Sequence, residues 1–155
     1  MVFVFNSTIF TRTMNQKKPS IIQFDSIGGD IEGYISVAEF ARSMPFPVKR
    51  VYWVHSTPDN QERGNHANLE NKTIVVCLNG SVEVQFDDLK NNVFHYKLEN
   101  PKEGLLIPSN HWKKFVFSEN AVLLCLCSEK YLEADYIRDF KIFTRMKYDK
   151  KASIV

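Results

Sequence analysis

Thr73-Ile74-Val75-Val76-Cys77-Leu78-Asn79-Gly80-Ser81-Val82-Glu83-Val84-Gln85-Phe86 is the stretch on which the fold class turns. Its first half is a short β-rich apolar run, suited to a buried strand. Its second half alternates, with Val82, Val84 and Phe86 separated by Ser81, Glu83 and Gln85. A period of two marks a strand with one buried face. Asn79-Gly80 between the runs is a hairpin signal, so the two strands are expected to pair with each other.

The same pattern continues outward. Turn residues at 87–92 and 100–104 separate the runs Phe94–Leu98, Leu105–Ile107, Lys114–Phe117 and Val122–Cys127. Upstream lie Ile21–Phe24, a Gly28-Gly29-Asp30 turn, an alternating run Tyr34–Phe40, a Pro45-Phe46-Pro47 break and the strand-like Lys49–Val54. Many short strands at near-even spacing predict an all-β sandwich or barrel. The end differs. Tyr131–Lys147 is richer in charge, and Tyr136, Ile137, Phe140 and Phe143 fall at helical spacing, which predicts a C-terminal helix.

A chain of 155 residues is expected to form one domain, here 19–147, with a real core. Residues 148–155 are a basic tail. Residues 1–18 are an N-terminal arm, and Met14 would serve as an alternative start to an extra 13 residues. Met1–Phe5 is apolar but too short to span a membrane. A net charge of +2 gives no field that selects nucleic acid or an anionic membrane. The three cysteines, an odd count within apolar runs, argue against a disulfide framework and for a reduced, cytoplasmic setting.

The chemistry-bearing segment is Arg63-Gly64-Asn65-His66-Ala67-Asn68. On an extended chain His66 and Asn68 share a face, as do Arg50 and Tyr52. Imidazole is the side chain best suited to moving protons near neutral pH. His55 and His95 are expected to be exposed, His111 to lie at a rim or within reach of the site. Trp53, Trp112, Phe115 and Phe117 are expected to be mostly core.

An ordered set of segments carries a resemblance. Pro45–Trp53 looks like I-P-F-x-I-K-R-V-Y-Y, and Arg63–Asn68 looks like R-G-x-H-A-H. Val75–Ser81, Asp87-Asp88, Pro101-x-x-Gly104-Leu105 and Asp135-Tyr136-Ile137-Arg138-Asp139 follow in order. Together, over roughly residues 21–143, they resemble the cupin sugar 3,4-ketoisomerases. That family acts on dTDP-4-keto-6-deoxyglucose in the synthesis of deoxyamino sugars of surface polysaccharides. The resemblance implies a cupin-type jelly roll without metal or other cofactor, working as a homodimer that exchanges N-terminal strands. It implies a dTDP-linked sugar as ligand, His66 and Tyr52 as catalytic residues and Arg50 as a substrate-binding residue; Asn68, Arg63 and Lys113 are expected beside them as further substrate-binding residues.

The chain departs from the family pattern. Asn68 stands where the second histidine of H-A-H is expected, Glu32 replaces an arginine, Leu69 a lysine, and Lys113 a histidine after the late tryptophan. An amide hydrogen-bonds but cannot ferry a proton. Two functions remain open on these residues. One is a ketoisomerase with His66 as base; the other is a non-catalytic cupin that binds a nucleotide sugar or partners another sugar-modifying enzyme. Metal-binding cupins use H-x-H, a later Glu and a distant His. Here Glu70 lies only two residues beyond Asn68 and no distant His completes the set, so no metal is expected.

Overall fold

The computed structural model of the chain describes residues 17–152. The arm at residues 1–13 and the alternative start at Met14 lie outside the described residues. Twelve strands occupy Ser20–Gln23 (β1), Asp25–Gly29 (β2), Gly33–Val37 (β3), Arg50–Val54 (β4), Gln61–Asn68 (β5), Thr73–Asn79 (β6), Val82–Asp88 (β7), Val93–Leu98 (β8), Glu103–Ile107 (β9), His111–Phe117 (β10), Val122–Cys127 (β11) and Tyr136–Ile137 (β12). One helix, Phe140–Ala152 (α1), follows them. Residues 148–152, within the stretch expected as a basic tail, continue its backbone.

The strands form two five-stranded antiparallel sheets, ordered β1-β9-β6-β11-β4 and β12-β5-β10-β7-β8. The all-β jelly roll with a C-terminal helix is therefore the architecture. Alternation explains its core. Val82, Val84 and Phe86 from β7 meet Val75 and Cys77 from β6, Phe115 and Phe117 from β10, and Leu123 and Cys125 from β11. Each is at most 8% exposed, and burying such a side chain contributes about 1.5–3 kcal/mol.

Two expectations are corrected. Asn79-Gly80 is not a hairpin. β6 pairs with β9 and β11, while β7 pairs with β8 and β10, so this turn carries the chain from one sheet to the other. Alternation shows which face is buried but not which strand lies alongside. Tyr136 and Ile137 are also not helical. They pair with Asn68 and Ala67 of β5. The helix starts only after Asp139, whose Oδ1 accepts from the backbone N–H groups of Lys141 (2.7 Å) and Ile142 (3.3 Å), an acidic N-terminal cap.

The outer faces are covered unequally. Met44 and Phe46 pack over Ile74, Val76, Leu106 and Leu126 of the first sheet. Phe143 of α1, with Ile137, closes over Ala67 and Trp112 of the second. Ala67 therefore faces the helix, while its neighbours His66 and Asn68 face the interior. β2 and β3 pair only with each other and form a separate ribbon. Among the described residues no helix is long and apolar enough to cross a membrane.

Candidate active site

The interior changes character along β10. Phe115 and Phe117 belong to the core, but the next inward residues toward the strand's start are Lys113 and His111, both buried. The polar end of the cup begins there.

A β-bulge sets the geometry of β5. Lys113 is opposite His66, yet Lys114 is opposite Gly64, which leaves Asn65 without a partner. Gly64 has φ +96 and Asn65 φ +52. A Cβ on Gly64 would lie 2.7 Å from the Lys113 carbonyl oxygen and 3.0 Å from Phe115 Cδ2. Glycine alone fits both the backbone conformation and the space. The Gly64 signal anticipated as a turn is this bulge, and it aims His66 inward. The carbonyl of Gly64 then accepts from His66 Nδ1 at 3.0 Å. A carbonyl only accepts, so Nδ1 carries the hydrogen and Nε2 keeps its lone pair.

Around His66 stand residues from four other elements. The ring of Tyr136 (β12) lies 5.0 Å away, centroid to centroid. Arg50 (β4) donates to the Tyr136 hydroxyl at 3.2 Å and to Cys127 Sγ at 3.4 Å. Its guanidinium sits over Tyr52 at 5.4 Å and Tyr131 at 5.5 Å. Its Nε is buried with no hydrogen-bond partner. Behind them Lys113 Nζ donates to Asn68 Oδ1, and Asn68 Nδ2 donates to Asp135 Oδ2 at 2.8 Å. Asp135 Oδ1 accepts from the Glu70 backbone N–H at 2.7 Å.

Burial sets the protonation states. It pushes the His66 pKa down to about 4, helped by the charge of Lys113. Burial likewise lowers Lys113 to about 8, against the opposing influence of Cys127, Cys125 and Asp135. The Cys125 thiol is pushed up to about 12, first by burial. Tyr52 is 37% exposed overall, but its hydroxyl end lies among Cys125, Cys127 and Tyr136, where burial raises its pKa. At neutral pH the cup thus holds a free-base imidazole, a protonated phenol, a neutral thiol at Cys125, a guanidinium and an ammonium.

Five of the six anticipated site residues, His66, Tyr52, Arg50, Asn68 and Lys113, come together here. Arg63 does not. It pairs with Phe115, is exposed, and among the described residues forms no hydrogen bond or ion pair with this group. Lys113 is buried rather than free to meet a diphosphate. His111 is buried, with Nδ1 bonded to the Ser109 carbonyl at 2.9 Å and Nε2 unpartnered. His55 and His95 are exposed, as is Trp53, which does not join the core. Asp135, Tyr136, Tyr131 and the Cys125/Cys127 pair were not anticipated as site residues. The ordered Asp135-Tyr136-Ile137-Arg138 motif was the available signal for the first two. A cleft of about 900 Å³ abuts the cluster through Tyr131 and Asp135 and is bordered by Lys49 and Lys130. Among the described residues no three His, Cys, Asp or Glu side chains converge as a metal site.

Known proteins share this arrangement of strands. The chain is 35% identical over 117 residues to the TDP-4-oxo-6-deoxy-alpha-D-glucose-3,4-oxoisomerase of Aneurinibacillus thermoaerophilus, covering 75% of this chain and 84% of that one. It superposes with TM-score 0.81 and 30% identity on QdtA, a sugar 3,4-ketoisomerase of Thermoanaerobacterium thermosaccharolyticum solved in complex with TDP, covering 86% of this chain and 97% of that one. WlaRA, a TDP-fucose-3,4-ketoisomerase of Campylobacter jejuni, is 34% identical with TM-score 0.77, over 83% and 95% of the two chains. The FdtA family (WxcM-like, C-terminal) matches residues 17–148, nearly the whole described chain, and this protein belongs to it.

Proposed function

We propose that this protein is a nucleotide-sugar 3,4-ketoisomerase that acts on a TDP-linked 4-keto-6-deoxyhexose. The observation that carries this reading is the pairing of a free-base His66, its Nδ1 committed to Gly64, with a half-buried Arg50 whose buried Nε has no partner among the described residues. A buried unpaired donor is costly unless something else fills the position, and an anionic or carbonyl oxygen of the ligand would do so.

The C4 ketone acidifies the hydrogen on C3. His66 Nε2 takes that proton. The C3–H electron pair forms the C3=C4 bond, and the carbonyl pair moves to O4. The proton on O3 passes to O4. The imidazolium then returns its proton to C4 while C3=O forms, so no net proton is gained or lost. One base serving both carbons fits a single imidazole in the cup. Tyr52, held protonated, donates to a sugar oxygen. Arg50 binds phosphate or a sugar oxygen. Asn68 has one amide hydrogen left for the sugar, since its oxygen and other hydrogen are engaged. Arg63, exposed on β5, is positioned for the nucleotide side rather than for chemistry. Asn68 replaces a second imidazole, which leaves His66 as the sole proton carrier of the motif.

We further place the enzyme in a reducing cytoplasm, in the supply of deoxyamino sugars for surface polysaccharide, as a homodimer that exchanges N-terminal strands. Three free cysteines support the compartment, and the separate β2–β3 ribbon supports the exchange.

The test is deuterium uptake. In heavy water the wild type should place deuterium on the sugar ring of TDP-4-oxo-6-deoxyglucose and form the 3-keto isomer, while His66→Ala should lose at least about 100-fold in rate. Tight binding of the TDP sugar by the wild type without exchange or isomerisation would instead establish a binding module.

A further inference from the structure

Lys113 is 5% exposed, and among the described residues its ammonium has no ion-pair partner. Its hydrogen bond goes to a neutral amide, Asn68. The carboxylate of Asp135 stands one amide further on. The orientation of Asn68 is fixed by chemistry, because an ammonium only donates and an ionised carboxylate only accepts. Asn68 is thus a non-titrating spacer that ties a cation to an anion without letting them touch. Lys113 is also the register partner of His66 across β5 and β10, so both side chains project to the same face of the sheet. Buried charges are normally paired directly. This one is separated from its nearest carboxylate by an amide.

We propose that Lys113 is a positioning residue for the isomerisation: held by Asn68 and Asp135, its ammonium adds to burial in opposing a charge on His66 and extends toward acid the range in which the ring can accept the sugar proton. The assignment rests on the isomerase reading for its catalytic meaning. Its electrostatic content is independent of that reading. Lys113 from β10 and Arg138 after β12 oppose a charge on His66, and Asp135 favours it. Glu133 faces it from the same turn as Asp135. Arg50 from β4 and Cys125 and Cys127 from β11 face Lys113 itself, as does His111 two residues before it on the same strand. A like charge on a neighbouring side chain shifts a titration by about one unit.

The experiment is a proton NMR titration of the His66 ring, paired with the acid limb of kcat/KM for TDP-4-oxo-6-deoxyglucose. Lys113→Gln keeps a donor for Asn68 and removes the charge. The expected result is that His66 protonates about one pH unit higher in this variant, the acid limb moves up with it, and TDP affinity stays within about threefold, because Lys113 is buried with its ammonium engaged by Asn68. Asp135→Asn should move His66 the opposite way, to lower pH, and serves if the lysine variant does not fold. An unchanged His66 titration in Lys113→Gln, or movement in the same direction in both variants, overturns the proposal. If the wild type neither exchanges nor isomerises, the enzymatic reading fails, and the NMR titration still decides whether Lys113 controls His66.

Discussion

His66 is more easily buried uncharged than charged, and that preference has a measurable cost in acid. Its pKa is pushed down to about 4, chiefly by burial, whereas the unfolded chain protonates near 6.5. Between those values the unfolded state binds more protons than the folded one, so stability falls as pH drops from about 6.5 to 4 and levels off below. The contribution of this one ring is on the order of 3 kcal/mol. Denaturant unfolding at pH 7 and at pH 4 should show it as a difference between wild type and His66→Gln, the variant losing less stability in acid. Equal acid losses in the two proteins would mean that His66 is hydrated in solution. Lys113 follows the same sign in a higher window: its pKa of about 8 lies below the ordinary lysine value through burial, so it weakens folding at neutral pH, and the penalty fades as pH rises from about 8 toward about 10. Lys113→Met should therefore be no less stable at pH 7 than wild type, by up to about 2 kcal/mol more stable, in thermal melts. A fall in Tm would show that the bond to Asn68 outweighs the burial of the charge.

At the scale of the element, β5 is the strand that makes the site, and its bulge is the feature a single substitution can break. Gly64→Ala meets a left-handed backbone and a carbonyl oxygen 2.7 Å from the new Cβ. Strain of this kind costs about 1–3 kcal/mol, and relief requires β5 to move away from β10. The variant should melt lower, and its isomerase rate should fall more than its TDP affinity, because His66 hangs on the bulge while Arg50 is on β4. Loss of both in equal measure would indicate global unfolding. This bulge was not legible in the sequence, where Gly64 resembles an ordinary turn. The strands themselves were legible, since alternation such as Val82/Val84/Phe86 reports a buried face directly. Their partners were not: Asn79-Gly80 suits a hairpin and a sheet-to-sheet corner equally, and only the packed core selects the corner. Tyr136-Ile137 failed for the same reason. Two residues carry no period of their own, and what makes them a strand is the edge of β5. In the site, Arg50, Tyr52, His66, Asn68 and Lys113 could be named from ordered motifs and two-residue spacing. The Asp135–Asn68–Lys113 chain could not, because its ends are joined only through tertiary pairing of β12, β5 and β10.

At the scale of the molecule the unsatisfied part is the β2–β3 ribbon. It is tied at its base by an Arg42–Asp25 ion pair at 2.8 Å and near its turn by Lys102 Nζ over the Tyr34 ring at 3.2 Å, yet among the described residues it joins neither large sheet. Ile27 is 62% exposed, Ile35 64% and Tyr34 47%. A two-stranded ribbon alone is marginally stable in water, and a row of exposed apolar side chains marks an interaction surface. The first sheet has a matching need. Among the described residues its last strand, β4, pairs only with β11, with Val51 49% and Trp53 61% exposed. Open edges of this kind are normally covered. Exchange of ribbons in the proposed homodimer would meet both demands at once, burying the isoleucines and covering the edge that carries Arg50 and Tyr52. Sedimentation equilibrium at micromolar concentration should therefore give a mass near twice the 18.0 kDa chain. Ile27→Asp combined with Ile35→Asp should shift it toward the monomer by placing two charges in the contact. The double variant should also bind TDP less tightly, since the strand bearing Arg50 loses its cover. A wild type that sediments as a monomer would remove the exchange and leave the ribbon free for a different protein, and an altered mass with unchanged TDP affinity would separate assembly from the site.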